Sequence, residues 1–184
     1  MYLYYLKQTG DSQMIAEPVN RMMHLPDGEY LLRSLQPGDL HHLQEFFYSH
    51  SQDTIYQRYG HPVRVMSEAD AEKLVAVNQT QDCALALLEV REKQTVIHAV
   101  GRYCLDPDNH HAELAFVVRE SKRQLGCTTC LMQELIRTAR ERKLKALWAE
   151  ALASNLPMRK VLDKFGFQLI SRDHGRVKFE LPLE

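Results

Sequence analysis

Residues 112–128 read Ala112-Glu113-Leu114-Ala115-Phe116-Val117-Val118-Arg119-Glu120-Ser121-Lys122-Arg123-Gln124-Leu125-Gly126-Cys127-Thr128. The first seven are strand-like. A basic turn follows, and then Leu131, Met132, Leu135, Ile136 and Ala139 recur at three-and-four spacing. Gln133, Glu134, Arg137, Arg140 and Glu141 take the other side, so the stretch predicts an amphipathic helix with those polar residues turned to solvent. Arg123-x-x-Gly126-x-Thr128 thus stands at a helix entrance. First-turn N–H groups lack intrahelical partners and the helix dipole adds partial positive charge, which together suit a diphosphate. Gly126 lets backbone approach such an anion closely. A solvated helix start with an incidental glycine is the competing reading.

A second segment has the same order of parts. The strand-like Lys145 to Leu152 leads through Asn155 into a helix from Pro157 to Lys164, closed by Gly166. Upstream, Tyr30 to Leu35 predicts a strand, and Leu40, Leu43, Phe46 and Phe47 mark one face of a helix. Ser67 with Asp70 predicts an N-cap and an acid in the first turn of a helix reaching Asn78. Cys83 to Leu88 and Thr95 to Cys104 predict an antiparallel pair about the charged turn Arg91-Glu92-Lys93, and 168–172 with 177–181 a final hairpin. Antiparallel strands followed by alternating helices and strands give an α/β (α+β) fold with a mixed, mostly antiparallel central sheet flanked by helices. Residues 1–29 show no clear period and end in the turn signal Leu25-Pro26-Asp27-Gly28. They are expected to be an amino-terminal extension packed on one domain of residues 30–184.

Bulk properties narrow the function classes. A chain of 184 residues, 45% hydrophobic, supports one packed core. It contains no apolar run long enough for a membrane span and no signal-peptide order at its amino end, so a cytoplasmic location is expected. Charge is uneven: residues 30–118 hold 7 basic and 12 acidic groups, residues 119–184 hold 14 and 8. An anionic cosubstrate beside a cationic acceptor that enters from the acidic front half would fit this pattern. Ordinary solvated helix faces would fit it as well. The basic residues are not interleaved with aromatics, which argues against nucleic acid. None of the nine histidines has metal-ligand spacing, and no metal is expected. Cys127-Thr128-Thr129-Cys130 reads C-x-x-C, open to a redox dithiol or to simple packing.

The strand Ala112–Val118 with Arg123-x-x-Gly126-x-Thr128 resembles the acyl-CoA motif of GNAT acetyltransferases, and the segment beginning at Asn155 stands where that family places its second motif. The resemblance is specific over residues 112–167. Glu113 within Ala-Glu-Leu-Ala, with Asp53-Thr54-Ile55-Tyr56-Gln57-Arg58-Tyr59, is similar more narrowly to acetyltransferase domains of bacterial protein-lysine acetyltransferases. The resemblance implies acetyl-CoA held by Phe116, Val117, Val118, Arg123, Gln124, Leu125, Gly126, Cys127, Thr128 and Asn155. An amide at Val117 or a neighbour would polarise the acyl carbonyl, and Asn155 would bond the pantetheine arm unless it merely caps its helix. It also implies transfer to a primary amine, small molecule or protein lysine, by direct attack in a ternary complex. Thr128 departs from the usual Gly or Ala, and Leu162 occupies the place of a tyrosine that many relatives use as acid.

Chemistry adds the base. An amine is mostly protonated near neutral pH and must lose a proton before it attacks. Glu113 is the candidate, its pKa open to elevation by burial; an exposed polar position on an alternating strand is the other reading. His110 and His111 are minor alternatives to it, His41 and His42 are surface or substrate-side positions, and Tyr103 is a conceivable acid. A non-catalytic acyl-CoA sensor remains the alternative function, and the chain is expected to be a monomer or homodimer.

Overall fold

The computed structural model describes residues 19–91 and 94–183. In chain order these form β1 (Asn20–Leu25), β2 (Gly28–Ser34), α1 (Leu40–Tyr48), α2 (Gln52–Tyr59), α3 (Glu68–Val75), β3 (Cys83–Arg91), β4 (Gln94–Asp106) and β5 (His111–Val118). Then follow α4 (Cys127–Glu141), β6 (Ala146–Leu152), α5 (Leu156–Lys164), β7 (Gln168–Asp173) and β8 (Arg176–Pro182). The strands make one open sheet in the order β1-β2-β3-β4-β5-β6-β8-β7. Every neighbouring pair is antiparallel except β5 with β6. The mixed, mostly antiparallel sheet expected from the sequence is therefore present.

Side-chain alternation divides the sheet into two working faces. Leu114 and Ala112 of β5, Leu147, Ala149 and Ala151 of β6, and Val177 and Phe179 of β8 bury against α4, whose Leu131, Met132, Leu135 and Ala139 are fully enclosed. On the other face, Ala84, Ala86 and Leu88 of β3 and Ile97 of β4 pack beneath α1 and α3 through Leu43, Phe46 and Val75. Each enclosed leucine contributes roughly 1.5–3 kcal/mol of burial.

The residues before Tyr30 hold a strand that the sequence reading missed. Residues 1–18 lie outside the described part, but β1 pairs antiparallel with β2 across the turn read at Leu25–Gly28. As an edge strand it keeps most of its side chains in solvent, so it shows no apolar alternation. A second miss is α2, which buries only Thr54 and Ile55 and so lacks a periodic stripe. Ser67 caps α3 as predicted, accepting from the Asp70 amide at 3.1 Å, but that helix stops at Val75 instead of Asn78. Glu134, expected on the solvent side of α4, is instead only 1% exposed. Arg21 of β1 and Arg137 pair with it, and these cations make its burial tolerable.

Gly101 of β4 sets how closely α4 approaches the sheet. A Cβ at this position would meet two atoms of the Phe116 ring at 2.9 Å and the Leu131 Cβ at 3.1 Å. Overpacking of this kind costs about 1–3 kcal/mol, so Gly101→Ala should lower the unfolding free energy by that order in denaturant titration. An unchanged midpoint would show that the ring yields freely.

Candidate active site

The parallel ladder between β5 and β6 is short. It pairs His111 with Ala146, Ala112 with Leu147 and Glu113 with Trp148, and then ends, although β5 runs on to Val118 and β6 to Leu152. The strands therefore diverge into a wedge whose apex is Glu113. Two hydrogen bonds fix which β5 peptides face this wedge. The His110 carbonyl accepts from Lys145 on the β6 side, whereas the Arg119 amide donates to His98 on the β4 side. Strand peptides alternate in direction, so the amides of Phe116 and Val118 point into the gap and that of Val117 points to β4. Among the three residues read as a carbonyl-polarising group, the neighbours of Val117 hold the suitable orientation.

At the open end of the wedge, the chain turns into α4. Arg123 is extended, Gln124 has φ +63° and Gly126 has φ +89°. The positive φ explains Gly126 directly, while Gln124 adopts a conformation costly for a side-chain-bearing residue. A Cβ at Gly126 would find only Leu25 at 3.8 Å, so the outer side of this turn is open. The first amide of α4 to find an acceptor is that of Cys130, bonded to the Gly126 carbonyl at 2.9 Å. Among the described residues, the amides from Gln124 to Thr129 have no backbone or side-chain acceptor. Consecutive unpaired amides with alternating handedness at a helix start form an anion-binding concavity. Gln124, Leu125, Gly126, Cys127 and Thr128 are thus brought together by backbone geometry.

Three anchors hold that turn. The Arg119 Nε donates to the Ile97 carbonyl at 2.7 Å. Lys122 Nζ donates to Asp27 at 2.6 Å and to the Tyr30 hydroxyl at 2.8 Å, tying the turn to the β1–β2 hairpin. Glu120 accepts from the Ser51 amide at 3.0 Å and the Thr54 hydroxyl at 2.6 Å, which ties it to the start of α2. Arg123 Nη2 joins this last group through the Thr54 hydroxyl at 2.5 Å and leaves its guanidinium half-exposed.

Glu113 is half-buried on the face covered by α2. Burial raises its carboxyl above the ordinary glutamate range and Glu150 adds to the rise, against the pull of Arg58, Lys178 and Arg176. Asn155 caps α5, accepting from the Met158 amide at 3.2 Å, which is the bland reading of that residue; its amide nitrogen is still available to a ligand. Leu162, at the place of the relatives' tyrosine, is fully buried in the core. Tyr103 does not replace it: the ring is completely enclosed, its hydroxyl accepts from Arg142 at 2.9 Å, and burial pushes its pKa upward. His111 Nδ1 lies 3.5 Å from Glu180, and His110 is an exposed turn residue.

The redox reading of Cys127 and Cys130 does not survive. Both thiols are buried, and burial pushes the first upward and the second to about 11, so neither is a thiolate near neutral pH. The charge expectation also needs correction. The sheet face around Glu113 presents Glu150 but also Arg58, Arg102, Arg176 and Lys178, so it is not the acidic surface inferred from composition.

A wedge between splayed strands beside an anion-binding helix start defines an acyl-CoA-dependent transferase fold. A family model described as "Acetyltransferase (GNAT) domain" matches residues 30–168, and the chain belongs to this GNAT acetyltransferase family. Acetyltransferase Pat of Mycolicibacterium smegmatis is 28% identical over 155 residues, covering 84% of this chain and 46% of that protein. The chain therefore spans less than half the length of that curated relative. The crystal structure of the GNAT domain of S. lividans PAT aligns with a TM-score of 0.79 at 24% identity, covering 89% of this chain and 97% of that one. The structure of yncA from Salmonella typhimurium with its cofactor acetyl-CoA aligns with a TM-score of 0.67 at 14% identity, covering 84% and 94%. No helix among the described residues is long and apolar enough to cross a membrane, and no three metal-ligating side chains cluster there.

The Glu120 knot gives a pH signature. Burial would raise this carboxyl, but hydrogen bonds from Thr54 and Ser51 outweigh it and bring the pKa from 4.5 to about 2. The stability it contributes is complete above its unfolded value and is lost as pH falls through the folded one. Glu120→Gln should therefore flatten the decline of the melting temperature across that acid window. A slope identical to the unsubstituted protein's would contradict the network.

Proposed function

We propose that the domain transfers an acetyl group from acetyl-CoA to a primary amine, of a small molecule or a protein lysine, by direct attack in a ternary complex. One observation carries this reading: the unpaired amides from Gln124 to Thr129 open onto the wedge that Glu113 closes. Those amides and Arg123 hold the diphosphate, with the Thr128 hydroxyl as a further donor where relatives have Gly or Ala. The pantetheine arm then lies between β5 and β6, bonded by the Asn155 amide. Acetyl-CoA supplies an activated thioester carbonyl, and the gap-facing amide of Phe116 or Val118 donates to its oxygen.

Glu113 takes a proton from the incoming ammonium, directly or through water. The freed nitrogen bonds to the acyl carbon as the carbon–sulfur bond breaks, and coenzyme A leaves as a thiolate that receives, through water, the second proton the nitrogen loses in becoming an amide. The raised Glu113 pKa brings the base nearer the working pH, which is where such catalysis is efficient. Location in the cytoplasm and a monomeric or dimeric state belong to this same proposal.

Enclosure of Leu162 favours a second reading, a regulatory domain that binds acyl-CoA without turnover. Thiol release from acetyl-CoA over a panel of amines separates the two. Glu113→Gln should lower kcat by roughly 10²–10⁴ with unchanged acetyl-CoA binding. In the unsubstituted protein kcat should rise with pH through a value above the ordinary 4.5 of glutamate, because the base must be deprotonated. Binding without release of thiol for any amine would select the regulatory reading. Equal turnover by the variant would remove Glu113 from the mechanism.

A further inference from the structure

Between α1–α3 and the outer face of β4 and β5 lies a cavity of ≈50 Å³, lined on the sheet side by Val100, Arg102, Ala115 and Val117. Ala115 and Val117 stand on the same face as Glu113, immediately beside the wedge, so the cavity borders the place where an acceptor amine would meet the base. Its walls are mostly apolar, built from residues such as Phe46, Phe47 and Ile55. Three polar side chains break that pattern: His50, Arg58 and Arg102.

Their hydrogen-bonding is incomplete. Both ring nitrogens of His50 and the Nε of Arg102 are buried without a partner among the described residues. His50 is only 8% exposed and stacks edge-on against Phe46 at 4.5 Å. Burial lowers its pKa, so the ring is neutral and offers one donor and one acceptor. The Arg58 guanidinium lies 5.0 Å from the Tyr59 ring centroid, a contact that positions it without consuming its N–H groups. Arg58 and Arg102 repel each other, and Glu113 is among the groups opposing that repulsion.

Glu113 beside Arg58 and Asp82 near Arg102 balance part of this charge, but the buried Nε of Arg102 and the His50 ring still lack partners among the described residues, and an acceptor group entering the cavity would supply them. A guanidinium fork matches a carboxylate in shape and charge. A water-sized group needs roughly 10–15 Å³ of such space, so the cavity has room for a carboxylate.

We propose that this cavity is a carboxylate subsite in which Arg58 and Arg102 bind an acidic group carried by the acceptor, making the preferred substrate an amine that also bears a carboxylate. This rests on the acetyl-transfer reading and narrows it: the acceptor class comes from the two arginines that line the cavity beside Glu113, in contrast to the acidic entrance that the sequence composition implied. Short ω-amino acids, or a lysine whose neighbouring carboxylate reaches the cavity, satisfy the geometry; a purely cationic polyamine does not.

The test uses ω-amino acids from glycine to 6-aminohexanoate, each paired with its carboxamide, in the thiol-release assay and in a thermal-shift assay with coenzyme A present. At least one acid should exceed its amide in kcat/KM by roughly tenfold or more, the value of a charge-assisted pair. Arg102→Gln should abolish the difference while leaving acetyl-CoA binding intact, and Arg58→Gln provides the same reading if the first variant folds poorly. A second arm pairs succinyl-CoA or glutaryl-CoA with an uncharged amine. Arginine-dependent preference for those donors would assign the carboxylate to the acyl chain and overturn the acceptor assignment. Equal use of acids and amides by a protein that binds acetyl-CoA would overturn the subsite alone, whereas absence of acetyl-CoA binding would strike the proposed function instead.

Discussion

Amides left unpaired between β5 and α4 are the feature on which the molecule's chemistry depends. A peptide N–H must find a partner in the protein, in water or on a ligand, and from Gln124 to Thr129 the backbone leaves such groups without a protein acceptor in succession, near an opening in the sheet. The surrounding contacts read as a frame for them. Arg119 fixes the turn to β4, Lys122 to the β1–β2 hairpin, and Glu120 to the cap of α2. None of these side chains needs to touch a ligand; each restricts the freedom of the backbone that does.

The wedge and the turn place different demands on the same strand. β5 pairs with β4 along its whole length yet releases β6 beyond Glu113, which leaves the gap where the proposed mechanism lays the thioester. Gly101 relieves part of the resulting crowding by accepting the Phe116 ring above it, which lets α4 seat its enclosed leucines. Glu113, at the last paired position, is shielded from water by β6 and α2 but still reaches the open side. Burial and position thus act together on one carboxylate. Arg58, Arg102 and Lys178 around it, with Arg176 paired to Glu150, give this face a mixed charge in place of an acidic one.

Much of this was legible in the sequence where local rules are strong. The strand–turn–helix at residues 112–128 announced itself by a change of period and a glycine at the helix entrance, and Ser67 and Asn155 cap the helices they precede. Legibility failed where tertiary context decides. Asn20–Leu25 forms a strand only because β2 is there to pair with it, and α2 survives with two buried residues because Ser51 and Glu120 close its amino end. Glu134 looked like a surface residue because its partner Arg21 is distant in sequence. Charge counting along the chain could not foresee which side chains the fold would turn toward Glu113. The direction of the Phe116, Val117 and Val118 amides was likewise invisible until the pairing on both sides of β5 fixed the alternation.

Amide chemical shifts during titration with coenzyme A test the central claim most directly. The account predicts that the largest changes fall on Gln124 to Thr129, with smaller ones at Phe116, Val118 and Asn155, and that they saturate together. Saturable binding with those amides unmoved, or no binding at all, would contradict it.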